Sequence, residues 1–291
     1  MTLLISSGRK VERFQIFSPF GIRFWDPAMN QQVTDGLTVI AYPAYKSYQS
    51  TVAIRTVSGI YAFHNLPGLR SVEYPLVSDQ LFSPNPKTAF IIQVTDNQQR
   101  FLPVRFSVDL PVNGIYPTDA LNGANAVKPP GFYLFSASTR ATGVNMAVLR
   151  VDLVERIDAV RTVPAAFAVL EITGPDNVIQ YGLADEQGSL TILFPYPPFA
   201  IAMGSSPPQI DIHQKWILNV KVRYQPGVLG FVKESRLPDL SSVFKQSQGA
   251  IWSDPNQAAQ QITVELFYRE ELVLHSVNRS SLLISPALTS P

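Results

Sequence analysis

The sequence predicts an all-β protein made of two antiparallel β-sandwich domains, with long loops and extended termini. Three observations support this fold class. Short apolar runs rich in Val, Ile, Leu and Phe recur along the 291 residues, and turn formers separate them. The 24 prolines and 16 glycines are spread over the whole chain rather than gathered in one tract. Long segments with a helical period are rare, and this combination is typical of sandwiches.

The clearest strand pattern lies between residues 165 and 197. Three apolar runs, 167–172, 178–183 and 189–194, are separated by Gly-Pro-Asp-Asn and by Asp-Glu-Gln-Gly. Short runs bounded by turn formers are typical of strands joined by tight turns. Because proline has no N–H to donate to a strand ladder, the third strand should end at Pro195.

The order of apolar and turn-forming segments divides the chain into two halves. The proline-, glycine- and asparagine-rich stretch between them is interpreted as a linker. The predicted parts are an N-terminal arm (1–13), a first sandwich (14–110), the linker (111–130), a second sandwich (131–276) with a polar insertion (225–260), and a C-terminal tail (277–291).

Apolar alternation predicts the strands of the first half. They cover residues 21–25, 37–42, 51–56, 60–64, 88–95 and 100–110. Pro43 should end the second of these strands, and Pro103 indicates an edge or a bulge in the last. Residues 69–87 are interpreted as a loop because they contain three prolines.

The second half contains more ambiguous segments. Residues 146–154 favour a strand, although a short helix stays open because good helix formers follow. Residues 215–224 alternate as a strand, and 239–246 suggest one or two helical turns. Residues 261–276 indicate either a closing hairpin or one long strand. The two halves also resemble each other weakly, which leaves internal duplication and coincidence both open.

A resemblance to known domains rests on 37–39 (LTV) and on 58–68 (SGIYAFHNLPG). This pattern resembles carboxypeptidase regulatory-like and transthyretin-like domains. The resemblance implies small antiparallel sandwiches of transthyretin-like or immunoglobulin-like type, usually with an accessory or structural role. It extends over the core of the first half.

Composition excludes several classes of function. The formal net charge of +1, from 23 basic and 22 acidic residues, provides no general attraction to nucleic acid. The absence of cysteine removes disulfides, thiol catalysis and thiolate metal sites. No apolar run approaches the roughly 20 residues of a membrane helix, and residues 1–7 lack the pattern of a signal peptide. We therefore expect a cytoplasmic protein, or part of a particle assembled in the cytoplasm.

The candidate metal ligands are few and scattered. His64, His213 and His275 lie far apart in the sequence. Asp211 and His213 would share one face of an extended strand, but a metal site needs more ligands than these two. The sequence predicts no metal site and no cofactor.

The motifs of common enzymes are also absent from the sequence. It contains no Gly-x-Ser-x-Gly elbow, and 204–207 (GSSP) reads as a turn. No glycine-rich phosphate loop follows a strand, and Asp185 and Glu186 fit a solvated turn. Some transthyretin-like proteins are hydrolases with a C-terminal Tyr-Arg-Gly-Ser, whereas this chain has Tyr-Arg-Glu at 268–270. We predict no catalytic residues, although an enzyme built from distant segments stays an alternative.

Aromatic residues gather near the connections of the first half. They are Phe24, Trp25, Tyr42, Tyr45 and Tyr48. Such residues bind a sugar or a base in some proteins, but more often they fill a core or a protein interface. The absence of a basic patch argues against nucleic acid.

A second resemblance concerns function. Residues 103–111 (PVRFSVDLP), 181–188 (YGLADEQG) and 193–197 (LFPYP) are similar to segments of uncharacterised proteins encoded among phage-tail-like contractile injection systems. The resemblance implies a structural component of the baseplate or its periphery. Its partners would be baseplate, tube or sheath subunits, and a homo-oligomer is a further arrangement.

The arm, the insertion and the tail would then reach neighbouring subunits by strand addition. Disordered ends are the simpler interpretation of the two termini. The alternative function is an accessory ligand-binding or adhesion module, such as a carbohydrate binder.

Overall fold

The computed structural model describes residues 17–74, 87–112, 114–117, 130–143, 145–158, 161–198, 214–232, 235–254 and 256–287. Within these residues the chain is nearly all β, which confirms the predicted fold class. The predicted N-terminal arm, 1–13, lies outside the described residues. Among the described helices, none is long and apolar enough to cross a membrane.

Short strands and one helical turn form a first unit. They are β1 (Phe20–Ile22), β2 (Phe24–Asp26), β3 (Gln31–Val33), β4 (Leu37–Pro43), β5 (Thr51–Val52), β6 (Ile54–Arg55), β7 (Tyr61–Phe63), α1 (Arg70–Glu73), β8 (Thr88–Asp96), β9 (Val104–Leu110), β10 (Ile115–Tyr116) and β11 (Phe132–Tyr133). β4 ends at Pro43 as predicted, and α1 forms one helical turn at the start of the predicted loop 69–87, of which 75–86 lie outside the described residues.

Three sheets enclose the core of this unit. Their strand orders are β10-β1-β7-β6, β11-β2-β3 and β5-β4-β8-β9. β9 lies at the edge of its sheet, as Pro103 indicated. Large aromatic side chains dominate the core, and the rings of Phe106 and Phe132 stack with centroids 4.5 Å apart. Most pairings are antiparallel, but β1–β10 and β2–β11 are parallel.

The remaining described chain forms a second unit. Its elements are β12 (Met146–Arg156), β13 (Thr162–Pro164), β14 (Val169–Thr173), β15 (Ile179–Leu183), β16 (Ser189–Pro195), β17 (Lys215–Arg223), a 3₁₀ turn (Pro226–Val228), α2 (Leu240–Val243), β18 (Ala250–Asp254), β19 (Gln257–Ala259), β20 (Gln261–Phe267), β21 (Glu271–Leu274) and β22 (Leu282–Ser285). β12 confirms the strand interpretation over the helix, and α2 confirms the helical turn.

Two sheets enclose a second core. One has the order β15-β14-β17-β20. The other has the order β13-β12-β22-β18-β19, and β16 and β21 also pair with β12. The predicted central strands are therefore present, but β16 leaves the sheet of β14 and β15 to pair with β12. β16 ends at Pro195, as the sequence predicts.

The predicted linker needs correction. Within 111–130, Ile115–Tyr116 forms β10 beside β1, and the ring of Tyr116 stacks on Phe106 at 5.5 Å. β11 also pairs with β2, so residues just after 131 belong to the first core rather than the second. These strands are only two residues long, and a neighbouring strand from a distant part of the chain supplies their hydrogen bonds.

The predicted insertion and tail are also wrong in part. β18 and β19 lie within 225–260, and β22 lies within 277–291. β22 is buried and pairs with both β12 and β18. The segment 261–276 is neither a hairpin nor one strand, because β20 pairs with β17 in one sheet and β21 pairs with β12 in the other.

The two cores meet at the start of β14. Phe167 has a left-handed backbone (φ 58°), which is uncommon for a bulky residue. Its ring lies in the first core, while the neighbouring Ala165 and Ala168 lie in the second. The buried side chain of Gln246 donates a hydrogen bond to the Phe167 carbonyl at 2.8 Å. This connection ties the strands of the second unit to the aromatic core of the first.

The turn between β15 and β16 requires glycine at position 188. Gly188 has φ +83°, and a Cβ there would lie 2.2 Å from the carbonyl oxygen of Leu153. We expect Gly188→Ala to lower the free energy of unfolding by more than about 2 kcal/mol, because left-handed backbone alone costs a non-glycine residue about 1–2 kcal/mol. Urea denaturation measures the change.

Gly227→Ala is the matched control for this prediction. No atom lies within 4 Å of the Cβ position there. Its effect should therefore stay within about 0.5 kcal/mol. Equal stability of the two variants would contradict the turn geometry.

The turn between β8 and β9 contains a buried carboxylate. Asp96 Oδ2 accepts hydrogen bonds from the backbone N–H of Arg100 at 2.7 Å and from its Nε at 3.0 Å. Burial alone would raise the pKa of Asp96, but these bonds and one from the Gln98 N–H outweigh it and hold the pKa below its ordinary value. The stabilisation is therefore present above the unfolded pKa and is lost as the pH falls through the lower folded pKa.

We expect Asp96→Asn to be less stable than the wild type at pH 7. The difference in unfolding free energy between the wild type and this variant should become smaller as the pH falls below about 4, where the carboxyl of the unfolded chain takes up its proton. Urea midpoints at pH 7 and at a strongly acidic pH give the comparison. Asp176→Asn, in an exposed turn, is the control and should stay close to the wild type. A stability difference between the wild type and Asp96→Asn that does not change with pH would contradict a stabilising role for the Asp96 charge.

Candidate protein–protein interface

One strand lies at the edge of two sheets of the first unit. Its first part, β5, pairs with β4, and its second part, β6, pairs with β7. Between them, the backbone N–H of Ala53 donates to the carbonyl of Val39 at 2.9 Å. Within the described residues no strand pairs with the opposite side of β5 or β6. Unpaired strand edges present backbone donors and acceptors to other chains.

Large apolar side chains are exposed along this strand and its flanking loops. We call this set the apolar edge, and its members with their exposed fractions are Tyr45 (67%), Tyr48 (77%), Val52 (59%), Ile54 (61%) and Val57 (fully exposed). Single exposed apolar residues are common on protein surfaces, but several on one short segment indicate an interaction site.

Local turns hold the apolar edge in place. After Pro43 the chain turns, and the N–H of Lys46 donates to the Pro43 carbonyl at 3.0 Å. At the other end, Thr56 donates its N–H to the Ile60 carbonyl at 2.8 Å and accepts the Ile60 N–H on its hydroxyl at 3.0 Å. Gly59 provides the left-handed position of this turn, with φ +74°. The exposed residues are therefore carried on ordered backbone.

The charged residues of the segment that carries the apolar edge are basic. Residues 44–58 contain Lys46 and Arg55 and no acidic residue. The Lys46 ammonium lies 5.6 Å from the centre of the Tyr45 ring, and Arg55 Nη1 donates to the Thr34 carbonyl at 3.4 Å. A partner with an apolar surface and acidic residues around it would match this edge.

The predicted aromatic cluster is not one cluster. Phe24 and Tyr42 are buried, and the Arg105 guanidinium lies 5.5 Å from the Tyr42 ring centre. Trp25 lies in β2 and donates its indole N–H to Asn30 Oδ1 at 3.3 Å. Side chains of adjacent strand residues point to opposite faces, so proximity in sequence did not indicate exposure. Of the five aromatics, Tyr45 and Tyr48 remain as open surface rings.

No pattern in the sequence indicated that Arg105 would be buried. Its exposed fraction is 6%, and its Nε and Nη1 atoms have no hydrogen-bond partner. Burial lowers the pKa of Arg105, and the nearby Asp239 carboxylate offsets part of that effect. Ser107 donates its hydroxyl to the same carboxylate. These contacts connect β9 to the segment before α2.

The candidate ligating residues are not brought together. His64 follows β7 and His275 follows β21, so they lie in different units. Asp211 and His213 lie outside the described residues. Among the residues that the structure describes, no group of three His, Asp or Glu side chains is placed to hold a metal ion. The sequence prediction of no metal site stays a prediction.

The acidic pair before β16 lies in a turn, as predicted. Asp185 Oδ1 accepts the backbone N–H groups of Gln187 and Ser189, both at 2.9 Å. This is the usual role of aspartate before a glycine in a tight turn. Residues 204–207 lie outside the described residues.

Three hollows of the described surface are open to solvent. Their volumes are about 460, 380 and 230 Å³. The first of these three lies beside the turn between β20 and β21, with Tyr196, Arg269 and Glu270 in its lining. The Tyr196 hydroxyl accepts the backbone N–H of Arg269 at 2.9 Å, and burial raises the pKa of this tyrosine. The described lining of this hollow contains Thr142 but no histidine, serine or cysteine, whereas Ser253 and His275 both line the second hollow.

Comparisons with known proteins do not assign the chain to a family. No family model matches it, and no curated protein sequence is similar to it. Among solved structures, the Bacillus anthracis TIE protein is similar over 91% of this chain, with 10% identity and a TM-score of 0.24. A C-terminal fragment of the pilus adhesin SpaC from Lactobacillus rhamnosus GG is similar over 94% of this chain and all of the fragment, with 8% identity and a TM-score of 0.19.

Neither similarity supports an argument about function. Both TM-scores lie below 0.5 and both identities at or below 10%. The chain also spans only about a third of the TIE protein, 34% of its length.

Proposed function

We propose that this chain is a structural assembly protein that acts through protein–protein contacts, and that the apolar edge is one of its contact surfaces. The observation that carries the proposal is the exposure of Val52 and Ile54 on an unpaired edge strand. In water such a surface exposes apolar area together with free backbone groups. A neighbouring subunit would cover both at once.

The finer proposal is a component of a contractile, phage-tail-like particle, at its baseplate or periphery. It is supported by the similarity of 103–111, 181–188 and 193–197 to proteins encoded among such systems. Partners would then be baseplate, tube or sheath subunits, and the protein would have neither a catalytic site nor a cofactor. The division into two sandwich domains, and the transthyretin-like character of the first, belong to the same proposal.

The apolar edge also indicates the chemistry of the partner. Apolar side chains occupy the strand itself, while Lys46 and Arg55 lie beside it without nearby acids in sequence. The complementary surface is an extended, apolar segment flanked by Asp or Glu. Such charges influence the rate of association and the choice of partner more than the final affinity.

A second candidate function is an accessory or adhesion module that binds carbohydrate. The observation that favours it is the pair of exposed tyrosine rings, Tyr45 and Tyr48. A sugar ring stacks on an open aromatic face, so Tyr45→Ala combined with Tyr48→Ala would abolish glycan binding on this reading. Titration of glycans into the wild type and the double variant distinguishes this function from assembly.

The test of the assembly proposal uses the tagged full-length chain expressed in its own cells. We expect it to co-purify stoichiometric amounts of other particle subunits, identified by mass spectrometry. Val52→Lys combined with Ile54→Lys should reduce that recovery by about tenfold or more, because the loss of a hot spot near the centre of an interface costs about 2 kcal/mol or more. The substituted side chains are exposed, so the variant should fold normally.

Ile217→Lys combined with Val277→Lys is the matched control. It places the same charge at two other exposed apolar positions, neither of them on the apolar edge. It should co-purify partners as the wild type does. If both double variants retain the partners equally, the apolar edge is not the contact surface. A wild-type chain that purifies alone, at 32.2 kDa, would overturn the assembly proposal itself.

A further inference from the structure

The outer edge of β20 is a second unpaired strand edge, and it is unusually regular. All seven residues of β20 pair with β17 without a register shift, from Gln261 to Phe267. β20 contains no proline and no bulge, which are common protections of an edge. Two other edge strands are equally long, but α2 packs on β9 and most of β16 is buried. Among the described edges, β20 is therefore the long strand that stays open to another chain.

The direction of its backbone groups follows from one hydrogen bond. The N–H of Tyr268 donates to the Gln214 carbonyl at 3.0 Å, towards β17. In an antiparallel pair the backbone groups of alternate residues point to opposite sides of the strand. The residues whose backbone groups point away from β17 are therefore Gln261, Thr263, Glu265 and Phe267.

The side chains of β20 are arranged symmetrically about its central residue, Val264. Ile262, Val264 and Leu266 are buried or half-buried, and the residues between them and at both ends are exposed. The pattern reads the same in either direction along the strand. A second copy in antiparallel orientation would therefore place apolar residues on the same face of the extended sheet.

We infer that β20 pairs with β20 of a second copy of this chain, antiparallel and about a two-fold axis at Val264. Thr263 then lies opposite Glu265 of the second copy, and Gln261 lies opposite its Phe267. All four residues have outward-pointing backbone groups, so each facing pair exchanges two N–H···O bonds. The inference does not depend on the partner proposed for the apolar edge, which lies in the first unit.

The charges on β20 are compatible with this pairing. Its one charged side chain, Glu265, is bound to the Lys215 ammonium at 2.7 Å. Around an axis at Val264, Glu265 faces a threonine of the second copy rather than another carboxylate. An axis at Glu265 would place like charges directly opposite each other, which destabilises strand pairs. With the two-fold axis at Val264, all seven residues of β20 are also paired with a residue of the second copy.

The surroundings of β20 also leave room for a second strand. A hollow of about 380 Å³ lies between β20 and β21, and its lining includes Ile262, Val264 and Leu272. These three side chains pack against the second core but are only partly buried. Inward-facing residues of the added strand would lie about 5 Å from those of β20 and cover them further.

Cysteine cross-linking tests the register directly, since the chain has no cysteine of its own. Around the proposed axis, position 264 meets itself in a pair without backbone hydrogen bonds, with Cα atoms about 4.5 Å apart. That distance lies within the range a disulfide spans. We expect Val264→Cys to form a disulfide-linked dimer under mild oxidation, seen on a non-reducing gel. Ile262→Cys is the control, because position 262 meets Leu266 and not itself.

A second pair of variants tests the backbone bonds. Thr263→Pro removes an outward N–H that no strand of the described chain uses, and proline is tolerated at such edge positions. Thr263→Val loses the same hydroxyl but keeps the N–H. Sedimentation should give twice 32.2 kDa for the wild type and for Thr263→Val, and 32.2 kDa for Thr263→Pro. Circular dichroism confirms that each variant is folded.

Three results would overturn the inference. They are a wild type that stays monomeric at high micromolar concentration, equal cross-linking of Val264→Cys and Ile262→Cys, and a folded Thr263→Pro that still dimerises. Loss of particle subunits in the Val52 and Ile54 variant has no bearing on these measurements. Failure of the assembly proposal and failure of this one are therefore distinguishable.

Discussion

The second unit depends on one long strand whose backbone must be paired along both edges. β12 spans eleven residues, and its inward side chains from Ala147 to Leu153 are buried. One edge is satisfied by β16 and then β13, and the other by β21 and then β22. Buried backbone groups require partners, so four separate segments of the chain must return to this strand. β21 and β22 both pair with β12 in the parallel orientation, which the long stretch of chain between β12 and each of them permits.

The two cores are joined by side chains rather than by a simple linker. Phe167, Val169 and Leu183 come from the second unit but pack in the first core, together with Leu240 and Val243 from α2. The left-handed backbone at Phe167 places its ring there, at a cost of order 1–3 kcal/mol that the surrounding packing offsets. The exposed edges of the molecule are thus held on a continuous packed frame, which lowers the ordering cost of binding through them.

The surfaces that support a role in assembly share one physical property. On the apolar edge, and again along β20, backbone donors and acceptors lie beside apolar side chains, and no strand of the described residues pairs with them. A bound strand satisfies the backbone groups, while its side chains determine which partner is accepted. Basic side chains flank the apolar edge, which suits a partner that is a different protein. The symmetric pattern of β20, with its charge already paired, suits a copy of itself.

The sequence by itself determined the features that depend on neighbours along the chain. The strands around residues 165–197, the turn at Gly188 and the end of β16 at Pro195 follow from apolar alternation and from the limits of glycine and proline. Tyr45 and Tyr48 of the candidate surface were also predicted from the sequence. Only the tertiary structure decided which short apolar segments became strands, since β10, β11 and β22 obtain their hydrogen bonds from distant residues. The exposure of Val52 and Ile54 was decided in the same way, because burial depends on which sheet face another layer covers.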